Sequence, residues 1–104
     1  MQQRPLSIAI IAAEVAPFSK SGGLADVVHA LPKHLQGLGH DVSVVTPCYS
    51  FVAKRPNPPK HIGDAVVRVG TKEYPVRFYR DVLSEHSQVP VYFVGQDELF
   101  GDRD

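Results

Sequence analysis

The segment from Leu6 to Ala13 reads LSIAIIAA, an apolar run without alternation. Such a run suits a strand buried on both faces, as in a parallel α/β sheet, and does not suit a half-solvated antiparallel strand. A loop from Glu14 to Gly23 follows, carrying Pro17, Ser19, Ser21 and a glycine pair. Leu24, Val27, Val28, Leu31, Leu35 and Leu38 then recur at helical spacing and predict one apolar stripe. Pro32 interrupts that helix and removes one of its hydrogen bonds. Gly37 and Gly39 punctuate its end, and Val42-Ser43-Val44-Val45-Thr46 reads as a second buried strand. The result is a β-α-β unit. A sheet buried on both faces needs helices on both sides, yet the chain offers one convincing helix. Half the sheet would be bare, so the 104 residues are expected to be the opening part of a larger α/β domain.

The middle of the chain changes character. Cys48 to Lys60 contains Pro56, Pro58 and Pro59 and is expected to be a loop. Ala65–Val69 and Tyr74–Arg80 flank Gly70-Thr71-Lys72 as the arms of an inserted β-hairpin. Pro75 should confine its strand to an edge or a strand start. Val89–Val94, VPVYFV, is predicted as a further buried strand, and Gly95 to Asp104 is polar and unpatterned.

Several function classes fall away. Eleven basic residues balance eleven acidic ones, so the basic footprint of a nucleic-acid binder is missing. No apolar run approaches the ~20 residues that span a bilayer, so a membrane is not an expected partner. The start lacks the cleavage site of a secretory signal, and the single Cys48 can form no internal disulfide. A reducing cytoplasm is the default compartment.

The stretch Phe18-Ser19-Lys20-Ser21-Gly22-Gly23-Leu24-Ala25-Asp26 lies at the carboxyl end of the first strand, where open α/β sheets bind ligands. Glycines allow close approach of a ligand to the backbone, the first helical N–H groups point outward, and Lys20 adds a positive charge. Together they could cradle a phosphate or diphosphate, with Asp26 accepting from sugar hydroxyls. A bland reading stands beside this one: a flexible turn, and an aspartate placed only for helix electrostatics. The spacing is neither GxGxxG nor a P-loop.

From Ala13 through Val28, followed by Ala30-Leu31-Pro32, the chain resembles the N-terminal signature of bacterial glycogen synthases and plant starch synthases. That signature reads S/A-E-x-x-P-F/Y-x-K-T/S-G-G-L-A/G-D-V, then A-L-P. Leu38-Gly39-His40-Asp41-Val42, Val45-Thr46-Pro47, Val91-Tyr92-Phe93 and Leu99-Phe100 fit as well. The resemblance implies the N-terminal, acceptor-side Rossmann-like domain of a GT-B-type retaining glucosyltransferase. Such enzymes move glucose from ADP-glucose to the non-reducing end of an α-1,4-glucan, with no cofactor and no metal. By the same resemblance Lys20, Gly22 and Gly23 face the donor's diphosphate and glucose, Asp26 helps hold the sugar, and Glu14 lies toward the acceptor end of the cleft. Ser21 replaces a commoner threonine, His29 stands where glycine is frequent, and Gly95-Gln96-Asp97 lacks the family's aspartate-asparagine turn. The family's catalytic histidine, donor-binding basic pair and second Rossmann domain lie downstream of Asp104. The chain alone is therefore expected to supply no catalytic residue and to be inactive. A non-catalytic nucleotide- or phosphate-binding module, or a remnant, is the alternative.

The remaining candidates point to structure. His29 and His34 lie about 140° apart around a helix and do not share a face for a metal; His40, His61 and His86 show no ligand spacing. Cys48 is expected to be an idle thiol, and Lys54, Arg55 and Lys60 a solvated connection. Tyr74, Phe78, Tyr79, Tyr92 and Phe93 read as core and sheet-face residues.

Overall fold

The computed structural model describes residues 4–84 and 87–100; His86 and the terminal residues 101–104 lie outside them. The elements run β1 (Ser7–Ile11), α1 (Gly23–Gly37), β2 (Asp41–Pro47), α2 (Ser50–Ala53), β3 (Lys60–Val69), β4 (Lys72–Ser84), β5 (Ser87–Gly95) and α3 (Asp97–Phe100). The five strands among the described residues join one sheet in the order β1-β2-β5-β4-β3. β1 and β2 pair in parallel, as do β2 and β5, whereas β5–β4 and β4–β3 are antiparallel. The α/β class and the inserted hairpin are as the sequence predicts. The hairpin extends the parallel sheet past β5.

Burial is one-sided. Val42, Val44 and Thr46 of β2 and Val89, Val91 and Phe93 of β5 are buried, while the alternate residues Ser43, Val45, Tyr92 and Val94 are half-buried. Ile11 at the end of β1 is 79% exposed. The apolar runs were expected to be covered on both faces. Among the described residues α1 and α2 pack on one face, while the other is open apart from Phe100 of α3 beside Ile11, Val45 and Val94, so the bare half appears where the shortage of helices requires it. Phe18 meets Phe93 edge-on at a centroid distance of 5.0 Å inside the covered core. Full burial of Phe93 removes a side chain worth roughly 1.5–3 kcal/mol of transfer free energy.

The stripe on α1 also splits. Ala25, Val28 and Pro32 are buried and Leu35 is half-buried, but Leu24, Val27, Leu31 and Leu38 are exposed. The apolar arc is wider than the arc the sheet covers, and its outer flank is left open. Pro32 lies inside α1, which continues to Gly37. Gly39 follows the helix at φ 97°, a left-handed conformation that favours glycine at a helix end.

The turn α2 stands inside the segment expected to be a loop; Val52, fully buried, anchors it. The hairpin arms are longer than predicted, and Gly70 (φ 65°) is the first of the two residues between Val69 and Lys72. A positive φ at that position alone is the pattern of a type II′ turn. Pro75 pairs with Val66 on β3, while the pairing of β4 with β5 begins at Arg77. β4 is therefore an interior strand and not the edge strand or strand start expected. Pro75 is tolerated because it lies where β4 projects beyond β5, its carbonyl there accepting from Gln96 Nε2 at 3.2 Å. Arg55 departs from the solvated role: it is half-buried, with its guanidinium 4.7 Å from the centre of the Phe18 ring.

Candidate functional site

The loop between β1 and α1 is built by its own hydrogen bonds. Ser19 N–H donates to the Val15 carbonyl at 2.9 Å, and Val15 N–H donates to Ser19 Oγ at 3.1 Å. Ser19, Val15 and Phe18 are buried. Ala16 N–H reaches the Ala25 carbonyl at 3.1 Å, which ties the loop to the first turn of α1. His29 closes the clasp from the second turn, its Nδ1 lying 2.6 Å from the Ala16 carbonyl and its Nε2 3.1 Å from Lys33 Nζ. The neutral Nδ1–H tautomer satisfies both contacts. A glycine at position 29 could make neither.

Glu14 fills an unexpected place. Its Oε2 accepts from Ser21 N–H at 2.7 Å and from Ser21 Oγ at 2.6 Å, and its Oε1 accepts from Ala25 N–H at 3.2 Å. Gly22, the N-cap of α1, has no side chain to cap with, so Glu14 satisfies the helix start from a distance. These bonds, the Ser21 hydroxyl first and the Ser21 amide next, hold the carboxyl below its ordinary range of about 4.5. The residue therefore stays ionised against the positive end of the helix.

Lys20 and Asp26 form a pair. Lys20 Nζ lies 3.0 Å from both Asp26 carboxylate oxygens, and both side chains are more than half exposed. The sequence suggests a mobile lysine beside free donors; the fold instead parks that charge on Asp26. An exposed pair of this kind is worth about 0.2–1 kcal/mol, so an incoming anion can compete for the lysine.

Like Gly37 and Gly63, the two glycines meet no requirement of the described fold. Neither Gly22 nor Gly23 has a positive φ, and a methyl group on either would meet nothing within 4 Å. Gly95 is different: a methyl there would come within 3.1 Å of the Tyr79 ring, so packing requires it.

Glu14, Ser19, Lys20 and Ser21 share an open depression of about 470 Å³ with two residues that sequence reasoning missed, Tyr49 and Phe51. Tyr49 follows the carboxyl end of β2, and its hydroxyl donates to the Ala13 carbonyl at 2.8 Å. Its ring stacks on Phe51 at 5.4 Å and 13°. Their place just past the carboxyl end of a strand was the available signal. A second hollow, about 350 Å³ and apolar, lies at the same end of the sheet and is lined by Ile11, Val45, Val94 and Phe100.

With this geometry in hand, residues 7–104 match the starch synthase catalytic domain. The chain belongs to that family. It is 44% identical over 100 residues to a glycogen synthase of Syntrophotalea carbinolica, an alignment covering 95% of this chain and 20% of the relative. A glycogen synthase of Streptococcus agalactiae is 42% identical, with 90% and 17% covered. Among solved structures, the catalytic domain of starch synthase IV from Arabidopsis thaliana, bound to ADP and acarbose, superposes with a TM-score of 0.75 at 29% identity. That match covers 89% of this chain and 19% of the plant one. The chain spans about a fifth of the length of these relatives. In this starch synthase segment, Glu14, Lys20, Gly22, Gly23 and Asp26 lie together around the start of α1. Among the described residues no helix is long and apolar enough to cross a membrane, and no three His, Cys, Asp or Glu side chains cluster as metal ligands.

Proposed function

We propose that this segment is the N-terminal part of the acceptor-side Rossmann-like domain of a cytoplasmic glycogen synthase. The whole protein would transfer glucose from ADP-glucose, with retention, to the non-reducing end of an α-1,4-glucan. One observation carries the site assignment: two adjacent glycines at the sheet's carboxyl edge whose side-chain space is empty and whose backbone needs no glycine. Glu14 takes the Ser21, Gly22 and Ala25 amides, so a diphosphate in the open space beside the glycines would meet those of Gly23 and Leu24. Lys20 would leave Asp26 for that diphosphate, which frees the Asp26 carboxylate to accept from glucose hydroxyls. As ADP departs, charge grows on its phosphate oxygens, and Lys20, once drawn off Asp26 by the bound diphosphate, would stabilise it together with the backbone donors. Glu14 holds the loop that presents them.

The bare face of the sheet fits the same reading. The rest of the domain would cover Ile11, Val45, Tyr92 and Val94, and the second domain would supply the other wall of the cleft. The test is glucan extension by the full-length protein from ADP-glucose, with Lys20→Ala beside it. The variant should weaken ADP binding by at least tenfold, since a charge-assisted contact is worth about 1.5–3 kcal/mol. Unchanged ADP affinity would show that the cradle lies elsewhere.

A further inference from the structure

We propose that Tyr49 and Phe51 form an aromatic floor against which one glucose ring of the glucan chain packs, a subsite that rests on the glucan-acceptor reading above. Phe51 is 55% exposed, while its neighbour Val52 is fully buried and alone anchors α2 in the core. The phenyl ring is thus not part of the core that α2 anchors. The ring is nevertheless fixed, because Tyr49 stacks on one of its faces and is itself held by the bond from its hydroxyl to Ala13.

The chemistry around the floor selects the ligand. The Tyr49 hydroxyl spends its hydrogen on the Ala13 carbonyl, and the Ser21 hydroxyl spends its own on Glu14. Both keep lone pairs, and Glu14 is an ionised acceptor. Lys20, the cation at this depression, is held on Asp26 here and is committed to the donor's diphosphate in the reading above. The groups left beside the rings therefore offer acceptors. A further phosphate, which brings more acceptors and negative charge, is repelled there. A ligand with an apolar face and a rim of O–H donors is matched on both counts, and a pyranose ring is that ligand.

The experiment uses the full-length protein and its Phe51→Ala and Phe51→Trp variants, with glycogen affinity measured by native electrophoresis in glycogen-containing gels and by steady-state KM. Phe51→Ala should weaken glycogen binding about tenfold, the weight of one aromatic face. The KM for ADP-glucose should stay within about twofold, and Phe51→Trp should restore affinity. Unchanged glycogen affinity in a folded Phe51→Ala variant overturns the subsite. A rise confined to the ADP-glucose KM overturns it as well, by giving the ring to the donor's base. If the unmutated protein binds glycogen through Phe51 yet transfers no glucose, the subsite stands and the transferase reading falls.

Discussion

Replacing Gly23 with alanine separates a ligand cradle from a plain flexible turn. Gly23 is the first residue of α1, its φ is not positive, and a methyl group there would have nothing within 4 Å. Alanine restricts the unfolded chain and favours the helix, worth roughly 0.5–1 kcal/mol in a helix interior and less at a first turn. The denaturation midpoint of the full-length protein should hold steady or rise. Activity should move the other way. If a diphosphate approaches the backbone at this point, the methyl must displace it, and overpacking of a fitted site costs roughly 1–3 kcal/mol. That corresponds to a loss of about 5- to 150-fold in kcat/KM for ADP-glucose. The assay is transfer of labelled glucose from ADP-glucose to glycogen, run beside thermal denaturation of the same preparations. A variant with equal or higher stability and unchanged kcat/KM would refute the cradle, because the glycine pair would then be doing nothing the fold or a ligand requires.

Two further outcomes follow from the hydrogen bonds and the core. The folded state lowers the pKa of Glu14, so its contribution to the loop is complete above about pH 4.5 and is lost as pH falls through the lower folded value. Exchange of the Ser21 and Ala25 amides should accelerate in that acid window, and Glu14→Gln should abolish the pH dependence. Phe93→Ala should destabilise by roughly 3–5 kcal/mol in denaturant titrations, since it empties a fully buried site and strips Phe18 of its edge-on partner.

Local signals explain what could be read from the sequence. The runs LSIAIIAA, VSVVT and VPVYFV mark three adjacent strands of the sheet, and the glycine-punctuated stripe between the first two marks α1. Gly70 marks the hairpin turn because a left-handed position there favours glycine. What escaped depends on contacts across the chain. Residues such as Ile11 and Leu24 look like core by type, but exposure is decided by which elements arrive to cover them. Single-turn α2 and α3 are too short to show a period. The bond from Glu14 to Ala25 crosses eleven positions, and no spacing rule announces it. The Lys20–Asp26 pair was equally invisible, since Asp26 already had a local reason to occupy a first helical turn.

The strand order carries a kinetic consequence. β1, α1 and β2 form one sequence-local unit, and β3 with β4 forms another around a two-residue turn. β5 pairs with β2 on one side and with β4 on the other. Its antiparallel partner is adjacent in sequence, whereas Val44 and Val91 meet across nearly half the chain. Closing that long loop carries the largest entropy cost within this segment, so β2–β5 pairing is the expected slow step there. Substitutions at Val44 or Val91 should then slow folding, while changes in the exposed arm of β3 should mainly alter unfolding.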